Sequence, residues 1–474
     1  MVENKPALTS FFEAKSIVLI GASKKNNSPG NVVARQLVER FEGEVYFVNP
    51  RGGRMFTKEV YKSLSELPST PDLMVILSPA ATVPGVIHEA AEKNIKNVII
   101  SSGGFAEIGD VGKRYQEEIT KTAKASGMRV IGPNCTGIYA PDLSIDTIFL
   151  PVSKVRRPKA GSISFFSQSG AFGVEFLNQM DHLGYGAWIA KYINYGNASD
   201  INEADVLEYL GQDEKTKVIL GYLEGFKEGR RFLDIAKAIT RHKPVILIKS
   251  NRTEIGARAS ASHTASIASN DKVVDDMLRS TGIIRVEHWR FLLNLAKCFA
   301  TQPMPQGRKV GLLSNGGGTI VMASDAIGKW GLEMSTLSSE SISTLKSEFP
   351  PFYIIHNPID LTGSSKAKDF ETGLRVFLKD PNVDSIVLIV LPSAPMLDLS
   401  EFLDLFRPLH SEFKAKGKPL LAVSLGGEDA DFLKSQLEKC DVPTYSIPEN
   451  AVRSLYQLTF YAEHRRFLES QPSL

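Results

Sequence analysis

The residue with the most chemical promise is His263. It stands in the run Ser260-Ala261-Ser262-His263-Thr264-Ala265-Ser266, within a longer small-residue segment from Gly256 to Ser269. An imidazole set among small side chains is approachable from several directions. That suits a group that takes a phosphoryl from one ligand and gives it to another, since neutral imidazole nitrogen is nucleophilic near pH 7 and a phosphoramidate transfers readily. A lone histidine is also commonly a structural residue, and composition alone does not separate the two. Glu224 follows the apolar run Val218–Leu223 and precedes Gly225. A carboxylate there can hold an imidazole in one tautomer and stabilise its cation if the fold brings the two together; otherwise it is an exposed glutamate.

Anion-binding chemistry is suggested by two turns. In the first, Phe165-Phe166 leads into Ser167-Gln168-Ser169-Gly170-Ala171; in the second, Leu312-Leu313-Ser314 leads into Asn315-Gly316-Gly317-Gly318-Thr319. Each reads as a strand, a tight turn and the N-terminus of a helix, where backbone N–H groups and the helix dipole favour a phosphate. A plain helix cap at Ser169 is the alternative. Neither turn has the G-x-x-x-x-G-K-[ST] pattern of a Walker loop, and no such pattern occurs in the chain. A further polar turn is Asn357-Pro358-Ile359-Asp360-Leu361-Thr362-Gly363.

Near the start, Gly21-Ala22-Ser23 and Ser28-Pro29-Gly30 also let backbone and a helix end approach a phosphate, without the G-x-G-x-x-G spacing of a dinucleotide site. The next strand ends in Asn49-Pro50-Arg51-Gly52-Gly53, with Arg51 where a dinucleotide site wants a ribose-binding carboxylate. A guanidinium suits a ribose phosphate, as in coenzyme A or NADP, or is a solvated turn residue.

These turns belong to a repeated pattern in which an apolar β-branched run, a Gly/Ser/Pro turn and an amphipathic stretch follow one another. The runs are Val18–Ile20, Val45–Val48, Leu73–Leu77, Val98–Ile100 and Val130–Ile131. They continue as Ser162–Phe166, Ala187–Ala190, Val218–Leu223, Val245–Ile248, Val310–Leu313, Ile386–Leu391 and Leu420–Val423. Apolar strands alternating with helices predict parallel sheets buried on both faces. Ligands bind beyond the carboxyl ends of such strands, which adds Ser78-Pro79, Ser102-Gly103 and Asn134-Cys135 to the candidate positions. Breaks at Pro151–Lys159, read as a linker, and Thr301–Arg308 divide the chain into three α/β domains, 1–141, 142–301 and 302–474.

The bulk composition narrows the function classes. The chain has 474 residues, 43% hydrophobic and 23% charged, which is the balance of globular domains with sizeable cores. With 55 basic against 53 acidic side chains, a net charge of +2 gives no electrostatic reason to expect nucleic acid or an anionic membrane as partner. Cys135, Cys298 and Cys440 are too scattered for a disulfide framework or a metal cluster, so no metal ligands are assigned and a reducing cytoplasm is the expected setting. No run approaches the ~20 apolar residues of a membrane span, and Met1–Ser10 lacks a signal-peptide pattern.

Taken in order, these motifs resemble the alpha subunit of ADP-forming acetyl-CoA synthetase, in the superfamily that includes succinyl-CoA synthetase. The resemblance spans nearly the whole chain. It rests on Gly21-Ala22-Ser23, Asn49-Pro50-Arg51-Gly52-Gly53, Gly132-Pro133-Asn134-Cys135 and Ser167-Gln168-Ser169-Gly170. It continues through Tyr222-Leu223-Glu224-Gly225, Gly256-Ala257-Arg258-Ala259 with Ser262-His263-Thr264, Asn315-Gly316-Gly317-Gly318, and Asn357-Pro358-Ile359-Asp360-Leu361. The resemblance implies a Rossmann-like CoA-binding domain followed by two flavodoxin-like domains. It implies a CoA site at Gly21, Ala22, Ser23, Ser28, Asn49, Pro50, Arg51, Ser78, Pro79, Ser102, Gly103, Asn134 and Cys135. His263 would be the phosphorylated residue with Glu224 as its partner, and the turns at Ser167 and Asn315 would flank phosphate. Acyl-CoA, phosphate and ADP would become carboxylate, CoA and ATP by way of an acyl phosphate. The family's ATP-grasp domain is missing from this chain, which implies a separate beta subunit, an α2β2 assembly, and Mg2+ travelling with the nucleotide on that partner. Two segments depart from the family pattern: Ala265 and Ser269 replace glycines, and Thr319-Ile320 replaces Pro-Gly. Both bear on acyl preference. A non-catalytic CoA-binding regulatory module on the same fold is the alternative, against which Ser262-His263-Thr264 and Glu224 argue. An NAD(P)-dependent dehydrogenase is disfavoured by the missing glycine fingerprint.

Overall fold

In a computed structural model of the chain, residues 6–182, 187–256 and 271–470 are described. They form two compact units, Met1–Glu287 and His288–Leu474.

The first unit contains two sheets. One is built from β1 (Ser16–Ile20), β2 (Glu44–Val48), β3 (Gly53–Met55), β4 (Lys58–Tyr61), β5 (Leu73–Ile76), β6 (Asn97–Ile100) and β7 (Arg129–Ile131), in the order β3-β4-β2-β1-β5-β6-β7. All pairs are parallel except the β3–β4 hairpin. From β4 to β7 this is the strand order of a Rossmann fold, with its switch point between β1 and β5. The uniform apolarity of these strands follows from being covered twice. Successive side chains point to opposite faces, so Ile17 and Leu19 pack with Val33 and Leu37 of the helix Pro29–Arg40. Val18 and Ile20 pack on the other face with Val83 and Ile87 of Val83–Glu92 and Ile119 of Asp110–Ser126.

The second sheet comprises β8 (Gly137–Ala140), β9 (Ile145–Asp146), β10 (Lys159–Ser167), β11 (Ala187–Asn194), β12 (Val218–Leu223), β13 (Val245–Lys249) and β14 (Ile284–Val286), in the order β14-β13-β12-β10-β11-β8-β9. Strands β10 to β14 are mutually parallel. They run in flavodoxin-like order, with the switch point between β10 and β12. Strand β8 joins this sheet by pairing antiparallel with β11, so the residues just before 141 already lie in the second sheet. The stretch Pro151–Lys159, read from sequence as a linker, is pinned. The buried Arg157 guanidinium lies 2.7 Å from the buried Asp146 carboxylate and donates to Gln36 Oε1 at 3.2 Å and to Leu150 O at 3.0 Å. The two sheets pack as one body: the Phe12 and Tyr209 rings stack at 5.0 Å, and Arg129 Nε donates to Asp200 at 2.9 Å.

The second unit carries β15 (Lys309–Ser314), β16 (Glu333–Met334), β17 (Ile359–Asp360), β18 (Ser385–Val390), β19 (Leu420–Ser424) and β20 (Thr444–Tyr445), in the order β16-β15-β18-β19-β20 with β17 beside β15. It repeats the flavodoxin-like order of the second sheet, as the family resemblance implies. The helix Trp289–Thr301, at whose end the domain boundary was expected, belongs to this unit, where the Phe299 and Tyr461 rings meet edge-on at 5.7 Å. Buried Lys297 on that helix donates to Glu438 at 3.0 Å and sits over the Tyr445 ring.

Candidate functional site

Two cavities open beyond the strand ends of the first unit, one at the switch point of the first sheet and one where the two sheets meet. The smaller, of about 360 Å³, is lined by Gly21, Asn49, Pro50, Ser78 and Pro79, with Lys62 and Thr82. Five positions singled out from sequence therefore converge on one hollow. Asn49 organises it, its amide donating to Ala22 O at 2.9 Å while its Oδ1 accepts the Arg51 N–H at 3.0 Å. Ser23 O accepts from the Asn31 amide at 2.9 Å. Ser28 stands just before the helix Pro29–Arg40, its hydroxyl engaged by Lys25 O at 2.7 Å. A Cβ built on Gly30 would lie 2.0 Å from Gly21 O, so only glycine lets this helix start so close to the end of β1. Arg51 is exposed on the turn after β2. Two lysines join it: Lys24 Nζ lies 3.6 Å from a Cβ built on Gly53, and the Lys62 side chain 3.3 Å from one built on Gly52. Those lysines were not singled out from sequence, where nothing distinguishes them from solvated surface residues.

The larger cavity, of about 680 Å³, is lined from the second sheet by Gln168, Ser169, Gly170, Ala171, Tyr222, Glu224, Ser250 and Asn251, and from the loops above the first sheet by Ser101, Glu107, Asn134 and Cys135. The turn after β10 and the one after β12 thus share one wall, as the flavodoxin-like switch point requires. Gln168 ties them together, its Oε1 accepting the N–H groups of Glu224 at 2.9 Å and Gly225 at 3.3 Å. The other end of the Glu224 peptide is held as firmly, since Glu224 O accepts from Lys249 Nζ at 2.9 Å and from Asn251 at 3.0 Å. Burial pushes the Lys249 ammonium below the ordinary lysine range. Asn194 fixes the floor, donating to Ser167 O at 2.7 Å and accepting the Thr136 N–H at 2.6 Å.

Gly170 and Ala171 open the helix Gly170–His182 on this wall. Their N–H groups have no partner within the helix. The Ser167 hydroxyl donates to Ser169 O at 2.6 Å, and Ser169 Oγ caps the Phe172 N–H at 3.3 Å. Ser169 is therefore both a helix cap and a cavity residue. Ser102 donates from its hydroxyl to Ser78 O at 2.6 Å, joining the loops that border the two cavities, and its carbonyl accepts the Asn134 N–H at 2.9 Å. Gly103 packs against Asn134 Oδ1, 3.3 Å from its built Cβ. The Cys135 thiol is turned inward to Ile100 O at 3.4 Å, and burial pushes it up to about 12, so it stays protonated.

Sequence reading missed two residues of the wall and one that backs it. Glu107 carries a carboxylate on the cavity, Asn197 reaches it with its amide at 2.7 Å, and Lys249 lies beneath Glu224. Each is an unremarkable residue in a loop or strand until the sheets bring it to the wall.

In the second unit, Gly317, Gly318 and Thr319 open the helix Gly317–Lys329, with Gly316 at its cap. Asn315 is spent on the neighbouring strand end: it donates to Leu391 O at 3.1 Å and accepts the Leu391 N–H at 2.8 Å. Thr319 Oγ1 donates to Gly316 O at 2.7 Å, and Asp360 Oδ2 lies 3.3 Å from a Cβ built on Gly317, so a carboxylate already faces this helix end. Asn357 braces β15 by accepting the Leu312 N–H at 2.8 Å. His263 lies outside the described residues. Among the described residues, no group of three or more His, Cys, Asp or Glu side chains is placed to hold a metal ion.

Family models match along the chain in the order of its sheets: a CoA-binding domain at 15–141, a succinyl-CoA-ligase-like flavodoxin domain at 160–299 and a ligase-CoA domain at 310–450. The fold and its cavities thus define a CoA ligase. The chain is 35% identical to the alpha subunit of acetate–CoA ligase [ADP-forming] II of Pyrococcus furiosus, covering 96% of this chain and 98% of that one. It is also 35% identical to the acetate–CoA ligase [ADP-forming] of Methanocaldococcus jannaschii, covering 94% of this chain but 62% of that longer protein. Among solved structures, the Ca. Korarchaeum cryptofilum dinucleotide-forming acetyl-coenzyme A synthetase 1, in complex with phosphate and ADP, superimposes with a TM-score of 0.91 at 30% identity, over 98% of this chain and 99% of that one. The chain belongs to the family of ADP-forming acetate–CoA ligase alpha subunits.

Proposed function

We propose that this chain converts an acyl-CoA, phosphate and ADP into the carboxylic acid, CoA and ATP, with His263 as the phosphoryl carrier and Glu224 as its partner. The observation that carries the reading is the shared wall on which the N-terminus of Gly170–His182 and the doubly clamped Glu224 meet. CoA enters with its nucleotide in the hollow of Gly21, Ala22, Ser23, Ser28, Asn49, Pro50, Ser78 and Pro79. Arg51, Lys24 and Lys62 supply charge for its phosphates, and its thioester end reaches the larger cavity past Ser102, Gly103, Asn134 and Cys135. A phosphate oxygen attacks the thioester carbonyl; the C–S bond breaks, CoA leaves as the thiolate and an acyl phosphate forms. An imidazole nitrogen of His263 then attacks phosphorus, releasing the carboxylate. An ADP oxygen finally takes the phosphoryl group and breaks the P–N bond. Little covalent work falls to other side chains, so positioning and neutralisation of the phosphoryl oxygens dominate. Ser167, Gln168, Ser169, Gly170 and Ala171 serve that purpose beside Glu224; Asn315, Gly316, Gly317, Gly318 and Thr319 are a second phosphate turn in this reading, although Asp360 faces the same helix end.

The longer single-chain relative supports a partner in trans. We assign the ADP step to a separate ATP-grasp beta subunit in an α2β2 assembly, with Mg2+ entering on the nucleotide. By function we divide the chain into 1–141, 142–301 and 302–474, although β8 pairs into the second sheet and the helix Trp289–Thr301 belongs to the second unit. The test is ATP formation from acetyl-CoA, phosphate and ADP by the chain with its partner subunit. His263→Asn is expected to abolish it and Glu224→Gln to slow it by about 100-fold or more. Full activity in His263→Asn would refute the reading.

A further inference from the structure

Glu107 presents an unexpected carboxylate to a cavity that, on the function proposed above, receives phosphate and a thioester. A bare carboxylate there would repel the anion. Its oxygens are instead turned onto the protein. Oε1 accepts the Gly104 N–H at 2.6 Å and the Phe105 N–H at 3.1 Å, while Oε2 accepts the Asn197 amide at 2.7 Å. Burial raises the Glu107 pKa, but the hydrogen bonds from Asn197, Gly104 and Phe105 outweigh it and hold the carboxyl below its ordinary value. Glu107 is therefore a permanent acceptor at neutral pH.

An acceptor at that place decides which way the Asn197 amide lies. Gln116 Oε1 takes the same NH2 group at 3.0 Å, so Asn197 Oδ1 faces away from both and accepts from Asn134 Nδ2 at 3.3 Å. Asn134, which lines the cavity, is left with its own Oδ1 beside Gly103, 3.3 Å from a Cβ built there. Gly196 permits the close approach of these loops, since a Cβ there would lie 2.3 Å from Pro133 O and 2.4 Å from Asn134 O. Three loops from two sheets are thus linked in a single polarity, carboxylate to amide to amide.

We infer that Glu107 is a positioning residue for CoA: through Asn197 it fixes the Asn134 carboxamide with its oxygen toward the cavity, where it accepts a hydrogen bond from the pantetheine end of the ligand. The inference rests on the CoA reading of the two cavities. It is separable from it because the nucleotide hollow lies at Gly21, Asn49 and Ser78, away from this relay.

The experiment is calorimetric titration of the full chain with CoA and, separately, with adenosine 3′,5′-bisphosphate, which has the nucleotide but no pantetheine. In Glu107→Gln, an amide NH2 replaces an acceptor oxygen, and CoA affinity is expected to fall about tenfold. Adenosine 3′,5′-bisphosphate should bind as it does to the wild type. Asn197→Ala should show the same selective loss, and Glu107→Gln should add nothing further in that background. Equal losses for both ligands, additive losses in the double variant, or unchanged CoA affinity with a lower Tm would each overturn the relay. A wild-type chain that binds neither ligand would instead overturn the CoA reading itself.

Discussion

On the function proposed, the chemistry of the larger cavity depends on a peptide as much as on a side chain. Glu224 is held at its N–H by Gln168 and at its carbonyl by Lys249 and Asn251. Reacting groups displaced by about 1 Å can lose on the order of 100-fold in rate. We therefore expect Gln168→Ala to reduce turnover by about ten- to a hundredfold. Steady-state kinetics on the complex with its partner subunit would show this, and a wild-type rate in Gln168→Ala would refute the clamp. Glu224 and Gln168 were both legible from sequence because strand ends announce themselves by Gly and Ser. Lys249, Glu107 and Asn197 were not, since their contacts cross from one loop to another over separations no local pattern records.

At the scale of elements, the two flavodoxin-like sheets solve the same problem in the same way. After the first strand of each, an amide side chain reaches across the switch point to the end of the neighbouring strand: Gln168 to Glu224, and Asn315 to Leu391. The parallel strands were readable as apolar runs because both faces are covered. Short strands such as β8, β9, β16 and β20 were not, being two to four residues long and fixed by pairing rather than by pattern. Nor was the role of Pro151–Lys159 readable, since Arg157 resembles any solvated arginine until it meets Asp146. Removing one partner of a buried ion pair costs about 3–5 kcal/mol. Arg157→Ala is expected to destabilise the first unit by that amount in denaturant unfolding, and a change under 1 kcal/mol would show the stretch to be the linker its composition suggests.

For the molecule as a whole, two compact units imply two stabilities, and Lys297 offers a handle on the second. Burial lowers its pKa to about 8, against the opposing pull of Glu438. The unfolded chain keeps this proton up to about 10.4. Between these values the unfolded state binds more protons, so stability must rise with pH through that window. Relative to Lys297→Met, the wild-type second unit should gain on the order of 2 kcal/mol from pH 8 to pH 10. Parallel pH profiles of the two proteins would contradict the assignment.

On the function proposed, the chain carries a phosphoryl group between an acyl group and a nucleotide. The most direct measurement is to incubate it, with its partner subunit present, with acetyl-CoA and 32P-labelled phosphate, and then to test the label's stability. Label lost in acid, kept in base and absent from His263→Asn is expected. Label of the same stability persisting in His263→Asn would contradict it.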